Sequence, residues 1–219
     1  MSGVVAFDMN ETTLDLAPVR LAVDRHLPAS GFTVWFQKLL QLSMATTVAG
    51  SFESFGVLAR HAFDAVADTE AGTPPDDAFD EVAAAIASIQ PYPEVPAGLE
   101  RLRDGGWTTI ALTNSGQAMV EGQCRNAGLS DLFDHIVSVE QVQVYKPWPE
   151  PYRHAASVAG ADPHDVWMVA CHDWDLAGAR NAGLRTAFVA RPGMSWAGVY
   201  PAPDAYVTDF MRLADHLLA

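Results

Sequence analysis

The sequence predicts an α/β protein, in which a parallel sheet with crossover helices carries an inserted all-helical subdomain. The first observation is that short apolar runs alternate with segments of helical apolar spacing, a pattern typical of parallel strands joined by crossover helices. The second is that one long segment after the first strand has helix-period spacing and no evident strand.

Six apolar runs are predicted to form the sheet. They lie at 4–8, 107–113, 135–139, 166–170, 185–189 and 204–207. Helical patterns on the same part of the chain lie at 97–104, 116–127, 149–159, 175–182 and 208–218. Because strands and helices alternate, we expect the strands to be parallel.

The segment that follows the first strand is predicted to be helical throughout. Its apolar residues recur at helical spacing, for example at Val19, Ala22, Val23 and Leu27. A further Ala-rich helix is predicted over 78–89 and is entered through the turn at 73–76.

A proline-rich stretch at 90–96 indicates a stiff hinge between this segment and the rest of the chain. We therefore predict two domains. Residues 1–14 and 93–219 form the core, and residues 15–92 form a helical cap that is inserted after strand one.

Composition excludes several classes of partner. The chain of 219 residues has 13 Lys and Arg against 27 Asp and Glu, a net charge of −14 that argues against nucleic acid. No apolar run is long enough to cross a bilayer, and Met1–Gly3 lacks the basic region of a secretory signal, so we expect a cytoplasmic protein without membrane contact. Cys124 and Cys171 form no metal-ligand spacing and no disulfide framework.

Asp8 is the candidate nucleophile. It ends the apolar run Val4–Phe7, and Thr12 follows four residues later. In open α/β sheets ligands bind at the carboxyl ends of the strands, where a carboxylate can form an ester or an acyl-phosphate. The alternative is that Asp8 is a turn residue or a helix N-cap.

Three later segments complete a motif around Asp8. They are Thr109–Gly116, Val144–Pro147 and Trp167–Asp175, the last followed by Gly178-Ala179-Arg180. This order resembles the haloacid dehalogenase superfamily of hydrolases, and most closely its type II branch, the L-2-haloacid dehalogenases. The resemblance covers nearly the whole chain and implies a Rossmann-like core whose cap closes over the strand ends.

The resemblance also implies roles for individual residues. Asp8 would be the nucleophile, Thr12 would orient it, and Lys146 would keep it ionised. Asp175 would position or deprotonate the water that hydrolyses the ester, unless it is only a helix N-cap; Lys146 before a proline could likewise be a solvated turn residue. Thr113 and Asn114, with the amides that open the next helix, would hold an anionic group, and Tyr152 would be a supporting residue.

Two positions favour dehalogenation over cleavage of a phosphate ester. Asn10 stands where the phosphatases carry the Asp that protonates the leaving group, and an amide cannot act as that acid. Cys171 stands where they carry a magnesium ligand, and a thiol is a poor ligand for a hard cation. We expect neither a metal ion nor a cofactor, although Asp173 could reach a metal after a register shift.

Other positions depart from the dehalogenase pattern. Phe36 replaces the arginine of the cap motif Trp-Arg-Gln, and Arg20 or Arg60 could substitute for that arginine in space. Ala170 and His172 stand where a Ser and an Asn are typical, and Glu11 stands where Gly is common. His172 could bind the leaving group or substrate, or could cap the loop.

The sequence thus predicts a metal-independent hydrolase that converts short 2-halo carboxylic acids, small anionic substrates, into 2-hydroxy acids and halide. One alternative is a phosphatase or phosphonatase that uses the same nucleophile. Another is a weakly active binding protein with the same capped fold. Exposed apolar cap helices leave a homodimer as a further hypothesis.

Overall fold

The computed structural model describes residues 3–28, 30–70, 75 and 77–219. It contains a six-stranded sheet in which every pairing is parallel and whose order is β3-β2-β1-β4-β5-β6. The strands are β1 (Val4–Asp8), β2 (Thr108–Thr113), β3 (His135–Ser138), β4 (Val166–Ala170), β5 (Arg185–Val189) and β6 (Ala205–Val207). The predicted α/β class is confirmed.

Helices cover both faces of this sheet. They are α1 (Ala17–His26), α2 (Gly31–Val48), α3 (Phe55–Glu70), α4 (Ala78–Ala87), α5 (Val95–Asp104), α6 (Gln117–Asn126), α7 (Pro149–Val158), α8 (Asp173–Ala182) and α9 (Phe210–Leu218). Every strand and helix whose range the sequence predicted is present, with bounds that differ by at most two residues. Within the described part of the chain, no helix is both long and apolar enough to cross a membrane.

The alternation of side chains along β1 explains the two layers. Val5 and Phe7 pack into a cluster with residues of α5, α6 and α9, whereas Ala6 packs into a second cluster with residues of α7 and α8. Both faces of the strand are therefore buried, which is why the strand is a continuous apolar run.

Strand register places the motif segments at one edge of the sheet. Asp8 at the end of β1 pairs with Leu112 of β2, and Phe7 pairs with Val169 of β4. Thr113 and Cys171 therefore follow at the same carboxyl edge, on either side of Asp8. The crevice that parallel strands form at this edge is where ligands bind in such folds.

The helices α1 to α4 all lie between β1 and α5. Trp35 is buried, and its Nε1 donates to the carbonyl oxygen of Ala59 at 2.9 Å, which ties α2 to α3. Within the described residues of 15–92, no strand longer than an isolated bridge is present. The division into two domains stays a prediction, and most of the predicted turn at 73–76 lies outside the described residues.

The two ends of this helical segment run side by side. Leu14 bridges Pro91, and the amide of Tyr92 donates to the carbonyl oxygen of Thr13 at 3.1 Å. Arg191 lies with its guanidinium 3.8 Å from the centre of the Tyr92 ring and donates from Nε to the carbonyl oxygen of Thr12 at 2.9 Å. The loop after Asp8 is therefore fixed at the base of the inserted helices.

Candidate active site

Asp8 is a buried carboxylate at the end of the central strand. Thr12 donates from Oγ1 to Asp8 Oδ2 at 2.6 Å, and Lys146 donates from Nζ to Asp8 Oδ1 at 2.8 Å. The loop turns tightly here, since the Thr13 hydroxyl donates to the Asp8 carbonyl oxygen at 2.7 Å and Glu11 has a φ of 62°. The structure thus places Thr12 where the sequence predicted it, against the candidate nucleophile.

Lys146 lies between two carboxylates. Its Nζ is 2.8 Å from Asp8 Oδ1 and 2.8 Å from Asp175 Oδ2, and the side chain is only 1% exposed. The Asn114 side chain accepts a hydrogen bond from the Lys146 amide at 3.1 Å and so fixes the backbone at this position. Lys146 is therefore not a solvated turn residue.

Burial and the neighbouring charges shift the pKa values of the two carboxylates in opposite directions. Burial by itself raises the pKa of Asp8, but Lys146 and His172 outweigh it and hold the pKa well below its usual value. Burial, together with the charge of Asp8, raises the pKa of Asp175. Burial lowers the pKa of Lys146, but Asp175 and Asp8 outweigh it, so the pKa is raised and the ammonium stays charged. Asp8 is thus held as the carboxylate anion that a nucleophile requires.

Asp175 is fully buried in the first turn of α8, and both of its oxygens have partners. Oδ2 accepts from Lys146, and Oδ1 accepts from the Tyr152 hydroxyl at 2.5 Å. The same hydroxyl lies 3.0 Å from the Asp175 carbonyl oxygen. Asp175 does not cap the helix, since His172 holds the N-cap position. Tyr152 supports Asp175, and Asp175 in turn positions Lys146.

His172 forms a second contact between carboxylates. Its Nδ1 lies 3.3 Å from Asp8 Oδ2, its Nε2 lies 3.0 Å from Glu11 Oε2, and its ring packs against Trp174. Burial lowers the pKa of His172, but Cys171, Asp8 and Glu11 outweigh it and raise the pKa well above its usual value. His172 holds the N-cap position of α8, but its side chain makes no capping hydrogen bond to that helix. Its role in binding the substrate or the leaving group stays a prediction.

Glu11 lies in the candidate site, and the sequence did not predict it there. The sequence shows Glu11 only as a departure from glycine, yet its carboxylate lies 3.0 Å from the imidazole Nε2 of His172. One sequence signal was available. Glu11, an acid, and His172, a base, both stand where the dehalogenase motifs commonly have neutral residues. Because 161 residues separate them, only the fold brings the two departures together.

Several polar groups of the loop after β2 already have hydrogen-bond partners within the protein. The Thr113 hydroxyl accepts from the Ser115 amide at 3.1 Å, and Glu140 Oε2 accepts from the Gln117 amide at 2.8 Å. Two of the amides that were expected to hold a substrate anion at the start of α6 are therefore already paired. Anion binding by Thr113 and Asn114 themselves stays a prediction.

The chain matches the model of a known family over residues 3–183, and that family is described as haloacid dehalogenase-like hydrolase. The chain belongs to this family. The family match therefore covers most of the 219 residues.

Relatives within the family have dehalogenase names. The chain is 33% identical over 195 residues to an (S)-2-haloacid dehalogenase of Xanthobacter autotrophicus, covering 87% of this chain and 76% of that protein. It is 28% identical over 219 residues to an (S)-2-haloacid dehalogenase of Pseudomonas sp. (strain YL), covering 96% and 92%.

A solved structure shows the same fold. The L-2-haloacid dehalogenase from Xanthobacter autotrophicus superposes with a TM-score of 0.89 at 28% identity, covering 99% of this chain and 98% of that one. A second structure of that protein has chloropropionic acid covalently bound, and it matches this chain equally well.

In this haloacid dehalogenase-like hydrolase, seven of the predicted site residues face one small cavity of about 20 Å³. They are Asp8, Asn10, Phe36, Thr113, Asn114, Lys146 and His172, and Leu40, Phe55 and Trp174 complete the wall. Of the other three predicted residues, Thr12 is hydrogen-bonded to Asp8, Asp175 to Lys146, and Tyr152 to Asp175.

The arginines proposed as substitutes for the missing cap arginine lie elsewhere. The Arg20 guanidinium sits 4.1 Å from the centre of the Phe32 ring and donates to Thr33. Arg60 pairs with Asp64. Neither lines the cavity around Asp8, so the sequence-based suggestion is wrong for both. Among the described residues, the cationic groups in that wall are Lys146 and His172.

Proposed function

We propose that this chain is a hydrolytic dehalogenase of 2-halo carboxylic acids, which releases halide and a 2-hydroxy acid. The observation that carries the proposal is the buried, ionised Asp8 carboxylate, with Lys146 on one oxygen and His172 beside the other. The names of the relatives and the covalent complex of a similar protein support the same reaction.

The first step is displacement at carbon. An Asp8 oxygen attacks C2 of the substrate, a C–O bond forms, and the halide leaves with the electron pair of the C–halogen bond. Halide needs no proton to leave, so the reaction does not require a general acid at the position of Asn10. Lys146 and His172 supply the positive charge that the substrate carboxylate and the departing halide require.

The ester then changes the electrostatics of His172. Once Asp8 is esterified, its negative charge is lost, and one of the contacts that raise the pKa of His172, beside those of Cys171 and Glu11, is weakened. The imidazolium can release its proton to solvent together with the halide. A neutral imidazole, backed by the Glu11 carboxylate, is then left beside the ester.

The second step is hydrolysis of that ester, and we assign its general base to His172. Water attacks the carboxyl carbon of Asp8 while Nδ1 takes one of its protons, and Glu11 stabilises the resulting imidazolium. The new bond between the water oxygen and the carboxyl carbon of Asp8 is kept. The bond between that carbon and the ester oxygen, which is attached to C2 of the substrate, breaks. The second proton of the water goes to the leaving oxygen, so the hydroxy acid is released and the Asp8 carboxylate and protonated His172 are restored.

The sequence assigned the water to Asp175, and that assignment stays a prediction. Both oxygens of Asp175 are engaged by Lys146 and Tyr152, so a water would have to displace one of them. Positioning of Lys146 is the role that these contacts favour. The two assignments predict different behaviour for the Asp175→Asn and His172→Gln variants.

We further propose that the reaction needs no metal ion or cofactor. Cys171 holds the position of a metal ligand in related phosphatases, but its thiol lies 3.4 Å from the Thr12 hydroxyl and is a poor ligand for magnesium. Phosphatase activity is less well supported, since Asn10 cannot protonate a leaving oxygen. A cytoplasmic location and a homodimer stay predictions.

Halide release tests the proposal. Short 2-halo acids, fluoroacetate included, are incubated with the protein in EDTA and then in magnesium, with the Asp8→Asn protein as the blank. Release in EDTA that falls by at least about 10³-fold in the variant supports the proposal. No release in either buffer, with hydrolysis of a phosphate ester in magnesium, would replace it with the phosphatase.

A further inference from the structure

A second, larger cavity lies next to the cavity that contains Asp8. Its volume is about 240 Å³, and the two cavities share Asn10, Phe36 and Phe55 in their walls. We call it the apolar chamber, because most of its wall consists of side chains from the inserted helices such as Leu16, Val19, Trp35, Leu39 and Phe79.

The two cavities can hold molecules of different size. The cavity at Asp8 has about 20 Å³, which is room for about one water molecule. An apolar cavity of about 150 Å³ is enough to bind benzene, so the chamber has room for a phenyl ring and an attached methylene.

The polar groups of the two cavities indicate how a substrate would lie. Lys146 and His172 border the smaller cavity, whereas the carboxylate of Glu140 borders the chamber. A substrate carboxylate is therefore attracted to the Asp8 side and repelled by the chamber, which is left for an uncharged group.

The junction itself is suited to a passing ligand. Asn10 donates from Nδ2 to the Ser115 hydroxyl at 3.3 Å, but its Oδ1 is buried and has no hydrogen-bond partner among the described residues. A buried acceptor without a partner needs an explanation, and contact with a bound molecule at this junction is one.

We propose that the chamber binds the C2 substituent of the substrate, and that the preferred substrates are 2-halo acids with an apolar substituent about as large as a benzyl or butyl group. The inference rests on the proposed function and deepens it. The reaction at Asp8 is unchanged, while the chamber sets which 2-halo acids react fastest.

A substrate series measures the effect. Halide release is followed for racemic 2-bromopropanoate, 2-bromobutanoate, 2-bromohexanoate and 2-bromo-3-phenylpropanoate. Burial of each methylene favours binding by about fourfold, so kcat/KM should rise at least about tenfold from the propanoate to the hexanoate. A steady fall in kcat/KM along the series would overturn the inference.

A matched pair of variants locates the effect in the chamber. Ala83 lines the chamber, whereas the adjacent Ala84 on the same helix is exposed to solvent. Ala83→Leu should lower kcat/KM for the phenyl substrate by about tenfold and leave 2-bromopropanoate within about twofold. Ala84→Leu should change neither, and equal losses on both substrates in Ala83→Leu alone would contradict the inference.

A binding measurement separates this inference from the proposed function. Calorimetry with 3-phenylpropanoate, which has no halogen, should show binding that Ala83→Leu weakens and Ala84→Leu does not. That result would support the chamber even if no halide were released from any substrate. Binding that is equal in all three proteins would overturn the chamber whatever the chemistry at Asp8.

Discussion

The imidazole Nδ1 of His172 lies 3.3 Å from Oδ2 of Asp8. The other oxygen of that carboxylate accepts a hydrogen bond from Lys146, and Nε2 of the imidazole contacts the carboxylate of Glu11. Nucleophile, imidazole and supporting carboxylate therefore stand in a row. In this arrangement His172 can be a cation while Asp8 is charged and can act as a base once Asp8 is an ester.

Substitution of His172 by Gln should separate the two chemical steps. Attack by Asp8 should slow, because His172 also supplies part of the positive charge used in the first step, but ester hydrolysis should slow more, by about 10²–10⁴-fold, the usual contribution of a general base. We expect a burst of one halide per enzyme and an Asp8 adduct in the intact mass. Glu11→Gln should give a milder form of the same defect.

Asp175→Asn is the comparison for that experiment. If Asp175 only positions Lys146, this variant should lose the halide burst as well as turnover, and no adduct should accumulate. An adduct in Asp175→Asn, together with normal turnover in His172→Gln, would return the water to Asp175 as the sequence suggested.

Removal of Lys146 should cost stability as well as activity. Lys146→Met leaves Asp8 and Asp175 buried without their shared cation, and breaking a buried pair in this way costs about 3–5 kcal/mol of unfolding free energy. Urea denaturation checks this value. Lys38, the only other lysine of the chain, bonds Gln41 on the surface, and Lys38→Met should change stability by less than about 0.5 kcal/mol.

The stability contributed by His172 should depend on pH. Its pKa is raised in the folded protein above the ordinary value of 6.5, so its contribution is complete below pH 6.5 and is lost as the pH rises through the folded pKa. The pKa of Asp8 is lowered from 3.8, so its contribution is present above that pH and is lost only in stronger acid.

Thermal unfolding between pH 6 and pH 10 measures the first effect. The difference in Tm between the wild-type protein and His172→Gln should shrink as the pH rises through this range. A difference that stays constant or grows would show that His172 is not charged in the folded protein.

Much of the fold was predictable because its signals are local. The apolar run that ends at Asp8 and the helix patterns that follow β2 and β4 depend on neighbouring residues, so their bounds were found within two residues. Asp8, Lys146 and Asp175 could be predicted as site candidates because each lies in a short motif at the carboxyl end of a strand or in the loop after it.

What the sequence could not provide was the pairing of distant groups. Glu140 is 23 residues from Gln117, whose amide donates a hydrogen bond to its carboxylate, and nothing in either segment predicts this contact. The positions of Arg20 and Arg60 depend on how helices pack, and neither residue lies in the wall of the cavity at Asp8. The size of the chamber likewise follows from the spaces left between helices.

A single turnover in water labelled with ¹⁸O tests the central claim, a covalent ester on Asp8, most directly. Enzyme in excess over 2-bromopropanoate is allowed to react once, and the peptide that contains Asp8 and the lactate are analysed by mass spectrometry. We predict that the label enters the Asp8 carboxyl group and that the lactate receives an unlabelled oxygen from Asp8. Label that appears directly in the lactate, with Asp8 unlabelled, would contradict the account.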